Sequence, residues 1–130
     1  RKEVLFMRLN PDCIRDILLF IESTTNSKIR SVGFVSILEN LSQYDEDTIH
    51  YHLYQIKNSE LILNLHVSGS KPLLIGDLSP KGHEFLENIR SDSNWNKTKE
   101  IAGNIGSFSI NNLSQIAIGV VTQLITQNFS

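Results

Sequence analysis

The chain lacks charge in one place only. From Ile101 to Ser130 there is no Lys, Arg, Asp, Glu or His, although 12 basic and 14 acidic residues occupy the rest of its 130 residues. A single cysteine excludes an internal disulfide and favours a reducing, cytoplasmic setting. Seven scattered glycines form no phosphate loop or dinucleotide fingerprint, and there is no Gly-x-Ser-x-Gly, so no enzyme motif is in view. Long apolar runs are missing too. Val4 to Met7 is too short for a signal-peptide core, and the charge-free tail is broken by Thr122, Gln123, Thr126 and Gln127, short of the roughly 20 residues of a membrane span. A net charge of −2 gives no global attraction to nucleic acid or acidic membranes. At 40% hydrophobic and 20% charged, the chain is globular.

Local signals then place the elements. Asn10 caps a first helix that opens with Pro11 and Asp12 and buries Ile14, Ile17, Leu18 and Ile21. After a polar loop from Ser23 to Ser27, Lys28 to Val32 reads as a short strand centred on Ile29, and Gly33 to Leu41 as a second helix. Asp45 caps a third helix ending near Asn58, with Ile49, Leu53 and Ile56 inward. Leu61 to Val67 and Leu73 to Leu78 read as a hairpin around a turn at Ser68–Lys71, with Pro72 suited to an edge or a strand start. Ser79-Pro80 opens a fourth helix. Asp92 or Ser93 caps a fifth around Trp95, Ala102 and Ile105, closed by Gly106, and Ser109 starts a sixth through Gln127. The expected fold is mainly α (α+β), a winged helix-turn-helix with a hairpin wing. Residues 1–6 read as a tag or leader, 7–90 as the winged-helix domain and 91–130 as a helical extension packed on it.

The segment Leu78-Ser79-Pro80-Lys81-Gly82-His83-Glu84-Phe85-Leu86 resembles the Leu-Ser/Thr-x-x-Gly-x-x-Phe-Leu run that follows the wing in many winged-helix proteins. With Asn10–Leu19, Ile49–Leu53, Glu87–Lys97 and Gly106–Ser109, it is similar to a phage- and prophage-associated family of small winged-helix proteins, YjcQ-like in pattern. The resemblance covers Met7 to the C-terminus. It implies a fold and carries no activity.

Helix three is the candidate recognition element. A 100° wheel leaves Asp47, Tyr51, Tyr54, Gln55 and Asn58 outward, and Lys71 stands at the wing tip. Tyr, Gln and Asn can contact phosphates and base edges. However, Asp45 to Glu60 holds four acids and only Lys57 as a base, the wrong sign for a duplex. Two readings follow. One is a dimeric transcriptional regulator on duplex DNA; the other is a protein-interaction module for a host or phage protein, using the acidic helix and the apolar C-terminal helix.

His50 and His52 lie about 200° apart on a helix and cannot chelate one ion from it. His66 and His83 lack partners at metal-ligand spacing, so neither a metal nor a cofactor is expected. Cys13 reads as a packing residue between Asp12 and Asp16. Gly82 is expected to let helix four lie close to the sheet or to helix one, and Trp95 to anchor helices four and five. On the last helix, Leu113, Ile116, Ala117, Val120 and Leu124 form a core stripe. Ile110, Ile118, Val121 and Ile125 widen it to about 200°, twice what docking on one side requires. Leu113, Ile118, Val121 and Ile125 are therefore the expected contacts of a homodimer.

Overall fold

In the computed structural model, which describes residues 7–129, the first helix is capped from two directions. Helix α1 (Pro11–Thr24) begins where the Asn10 side chain accepts hydrogen bonds from the backbone N–H groups of Asp12 and Cys13. A capping box would add an acid or amide three residues on, reaching back to the N-cap N–H. That position is the buried Cys13, which cannot do so. Instead His52 Nε2, from the third helix, accepts the Asn10 N–H at 2.8 Å. The other ring nitrogen lies 2.8 Å from the Thr48 carbonyl oxygen, so Nδ1 carries the proton and donates it. The inward face of α1 is the expected one: Ile14, Ile17, Leu18 and Ile21 are fully buried.

The first strand falls further along than its composition indicates. Asn26 accepts from the N–H groups of Lys28 and Ile29 and donates its own N–H to the Ile29 carbonyl. This tight turn leaves Ile29 exposed rather than at a strand centre. Strand β1 is only Ser31–Gly33, and α2 (Phe34–Asn40) follows at once, burying Phe34 and Ile37. Asp45 accepts from the Thr48 N–H and starts α3 (Glu46–Asn58).

Helix α3 ends in a Schellman motif, with the Leu61 N–H on the Ile56 carbonyl and the Glu60 N–H on the Lys57 carbonyl. The left-handed position usually given to glycine is held by Glu60 at φ 64°, a conformation that costs an L-residue about 1–2 kcal/mol. The hairpin's first strand is shorter than expected and its second is shifted two residues toward the turn: β2 is Leu65–Ser68 and β3 is Lys71–Gly76, with an isolated Ile62–Leu78 bridge beyond them. Its two-residue turn has Gly69 at φ 64°, as such loops require. The sheet order is β1-β3-β2, all antiparallel. Pro72 therefore lies on the central strand, not an edge. It is tolerated because β1 pairing stops at Leu74, so its missing N–H breaks no pair with β1.

Helix α4 (Pro80–Ile89) is fastened at both ends. At its start, the Ser79 hydroxyl donates to the Glu60 carbonyl (2.6 Å) and accepts from the Gly82 N–H (3.0 Å), and the Ser79 N–H donates to Leu61 (3.0 Å). The helix lies so close to this segment that a Cβ on Gly82 would collide with the Leu61 carbonyl. The surface demanding a glycine is thus the backbone just after α3, not the sheet or α1. At the other end, Arg15 of α1 donates to the Ile89 and Arg90 carbonyls, satisfying acceptors the helix leaves free.

Helix α5 (Asp92–Ile105) is capped by Ser91, one residue before the expected position, because Ser91 Oγ accepts from the Asn94 N–H. Asp92, in its first turn, pairs with Arg15 (3.0 Å). Trp95 is buried and donates its ring N–H to Asp12 (2.8 Å), so it ties α5 to α1. Lys99 joins the same carboxylate at 2.8 Å, and Arg15 and Lys99 both approach the Trp95 ring. Burial opposes ionisation of Asp12, but the hydrogen bonds from Lys99 and Trp95 outweigh it and hold the pKa below its ordinary value. Ile105 is exposed, and Thr98 takes the inward place beside Ala102. Gly106, at φ 88°, ends the helix. Finally α6 (Ile110–Asn128) contributes Ile110, Leu113 and Ala117 to the same contiguous core as α1, α3 and α4.

Two outcomes follow from this packing. Gly82→Ala should lower unfolding free energy by about 2–3 kcal/mol, whereas Gly103→Ala, with only the Phe108 ring at 3.7 Å from the added carbon, should raise it by up to about 1 kcal/mol. Urea denaturation measures both, and equal effects would remove the close contact at Leu61 as the cause. Burial also lowers the pKa of His52, against the opposing effect of its bond to Thr48. The unfolded chain then binds this proton more readily, so its contribution to stability is intact above about pH 6.5 and falls as pH drops toward the folded pKa. Denaturation midpoints at pH 7.5 and 5.5 should show that loss, and His52→Gln should reduce the difference.

Candidate nucleic-acid interface

The α3 surface is built by its own periodicity. With Ile49, Leu53 and Ile56 fully buried, Tyr51, Tyr54 and Gln55 come to lie half-buried and Asn58 exposed, spaced to share one side of the helix. The aromatic residues are held rather than loose. Tyr54 stacks at a tilt on His50 (5.1 Å), and His50 meets the edge of Phe34 from α2 (6.3 Å). Tyr51 packs edge-on against His52 at 5.3 Å. These contacts stiffen the face and leave the tyrosines only partly accessible.

Lys71 does not join the other four. Its ammonium lies 3.0 Å from the Glu46 carboxylate, at the opposite end of α3 from Asn58. Twelve helical steps separate Glu46 from Asn58, about 18 Å. The pair is solvent-exposed and contributes little stability. Its consequence is electrostatic: the hairpin-tip cation sits against an acid. From Asp45 to Lys71 the sequence carries four carboxylates against two ammonium groups. Asp45 is held below its ordinary pKa by the hydrogen bonds from Thr48.

His52 has a structural role: it is buried and joins α3 to the start of α1. It stands three residues after Ile49 and four before Ile56, inside the buried stripe, so the wheel already pointed inward. Both ring nitrogens are engaged, which leaves no lone pair for a metal. Among the described residues, no three His, Cys, Asp or Glu gather as a metal site would require. Cys13 is fully buried, and burial followed by the charge of Asp16 pushes its thiol pKa up to about 12.

On α6 the expected interface divides. Leu113 is wholly buried in the core of its own chain, so it offers no surface to a second copy, and that expectation is corrected. Val121 is half-buried, while Ile118 and Ile125 are exposed. Leu124, expected in the core stripe, is 40% exposed. It lines a groove of about 590 Å³ between α5 and α6, with Ile101, Ile116 and Val120. No α6 residue beyond Ala117 is buried.

These features define a mainly helical α+β chain whose accessible surfaces include an acidic, aromatic helix face and an apolar, charge-free helix. The chain belongs to the family described as Hypothetical protein (DUF2513), whose family model matches residues 8–109. The matched stretch ends at Ser109, the N-cap of α6. An uncharacterized protein of Haemophilus influenzae (strain ATCC 51907 / DSM 11121 / KW20 / Rd) is 29% identical over 123 residues, which cover 92% of this chain and 99% of that protein. No solved structure matches the chain. Among the described residues, no helix is long and apolar enough to cross a membrane.

The burial of Cys13 can be tested directly. In the native protein its thiol should react with an aromatic disulfide reagent at pH 8 at least about a hundredfold more slowly than in urea, since little thiolate forms and access is closed. Equal rates would show that the α1 N-terminus is open.

Proposed function

We propose that this chain is a non-enzymatic, prophage-type winged-helix protein of the cytoplasm, acting as a homodimeric interaction module. Its α3–hairpin face takes a basic protein partner in preference to duplex DNA. The observation that carries this reading is the Lys71–Glu46 pair within a segment of net charge −2, where a DNA-binding wing would hold unpaired cations. The order helix, strand, helix, helix, hairpin supports the winged-helix arrangement. Winged-helix proteins are not bound to one use of that face, since fold alone does not fix function.

A second reading has its own support. Tyr51, Tyr54, Gln55 and Asn58 share one side of α3 and supply polar groups suited to base edges and phosphates, as a transcriptional regulator would need. The two readings differ in salt-dependent DNA affinity. Fluorescence anisotropy with a mixed-sequence duplex should detect no binding by the unaltered protein at low salt. The double variant Glu46→Lys plus Asp47→Lys turns the local charge from −2 to +2 and should gain weak binding that falls steeply with added salt. Tight, steeply salt-dependent binding by the unaltered protein would establish the regulator instead.

A further inference from the structure

The second half of α6 is a helix that its own composition does not favour. From Ile118 to Asn128 it holds Ile118, Val120, Val121, Thr122, Ile125 and Thr126, six β-branched residues, together with Gly119. It has no charged residue, so no i,i+4 ion pair can support it. Such a stretch is a poor helix former, and a segment this short is not stable in water on propensity alone. Tertiary contact must supply the stability, yet no residue here is buried within its own chain. Ile118 is 44%, Ile125 53% and Phe129 87% exposed. Together these side chains present on the order of 400 Å² of apolar surface, the size of patch that marks an interaction site. That is about half of the ~800 Å² each partner buries in a standard interface.

We infer that a second copy of this chain covers this surface by an antiparallel pairing of α6 with its twin, centred between Val121 and Thr122. This rests on the homodimer reading above and assigns its geometry. On a 100° wheel Ile118 and Ile125 lie about 20° apart, and the midpoint of Val121 and Thr122 falls between them. A two-fold axis at that midpoint sets Ile118 against Ile125 of the other copy and Ser114 against Phe129, each contact occurring twice, as an isologous interface requires. Charge permits the match. A helix without ionisable groups meets its own copy with no like-charge repulsion and no buried ion to desolvate, and charge depletion is characteristic of interface cores. A strongly charged partner would find no complementary group on this face. The α5–α6 groove lies on the other side of α6, so Gln123, which lines it, points away from the proposed seam.

Two measurements separate the geometry from the dimer itself. The unaltered protein should sediment as a dimer at about 50 μM, and Ile118→Asp plus Ile125→Asp should give a monomer with the circular dichroism of the folded body, weakening association at least about a hundredfold. Thr122→Cys should then form an intermolecular disulfide under mild oxidation, while Gln123→Cys should not; buried Cys13 contributes no cross-link. A monomer at that concentration in the unaltered protein overturns the dimer reading and this proposal together. A dimer that cross-links through Gln123→Cys but not Thr122→Cys keeps the dimer and overturns the assigned face.

Discussion

The close approach of Gly82 to the Leu61 carbonyl is the constraint on which the rest of the architecture depends. For α4 to reach that distance, α3 must stop cleanly and turn, which it does through the left-handed Glu60. Ser79 then joins the two segments, capping α4 while donating to the Glu60 carbonyl. Leu78 and Ile62 form a bridge beside this junction, which closes the base of the hairpin. Once the α4 N-terminus is fixed, Phe85 and Leu86 enter the core and Ile89 and Arg90 arrive at Arg15. The Leu-Ser-Pro-x-Gly-x-x-Phe-Leu run is therefore one mechanical unit: a bridge residue, a two-way cap, a helix start, a gap for a carbonyl and two core anchors.

Helix α1 distributes this order to the remainder. It meets α3 through His52, α4 through Arg15 and a two-pronged Arg90–Glu22 contact, and α5 through Asp12 and Trp95. Few of these contacts could be read from sequence. Caps are local, so Asn10, Asp45, Ser79 and Ser109 were legible, as were the buried stripes of α1 and α3. Strand limits were not, because register depends on a partner: composition made Ile29 a strand centre, while an Asn26 turn made it solvent-facing. Arg15 carries no local signal of its contacts. Its role arises from carbonyls more than 70 residues away, which no local pattern specifies.

The candidate site was legible as a face but not as an electrostatic unit. Periodicity turns Tyr51, Tyr54, Gln55 and Asn58 away from the core, and the structure leaves them half-buried or exposed. The position of Lys71 relative to them required the hairpin's fold, which carries it to Glu46. A cation expected to contact phosphate is instead part of a locally neutral pair within an acidic surface. The same limit applied to α6. A wheel gives the width of an apolar arc but not how far along the helix a neighbour stays in contact, so Leu124 was expected to be core and is open.

Charge and burial both give out toward the C-terminal end of the described residues, charge first. Ion pairs cluster where α1 meets α4 and α5, among residues that also supply the core with Cys13, Ile14 and Trp95. Ionisable side chains end at Glu100 and burial ends at Ala117, so the described residues past Ala117 have neither. A surface helix meant for water would be expected to carry charge on its outer face, which aids solubility and supplies i,i+4 support. A helix meant for its own core would bury its apolar side chains. This one does neither, and the self-association proposed above is the arrangement that would cover it. The uncharged polar residues Gln115, Thr122 and Gln123 then tolerate water or contact without the desolvation cost that a Lys or Glu would bring.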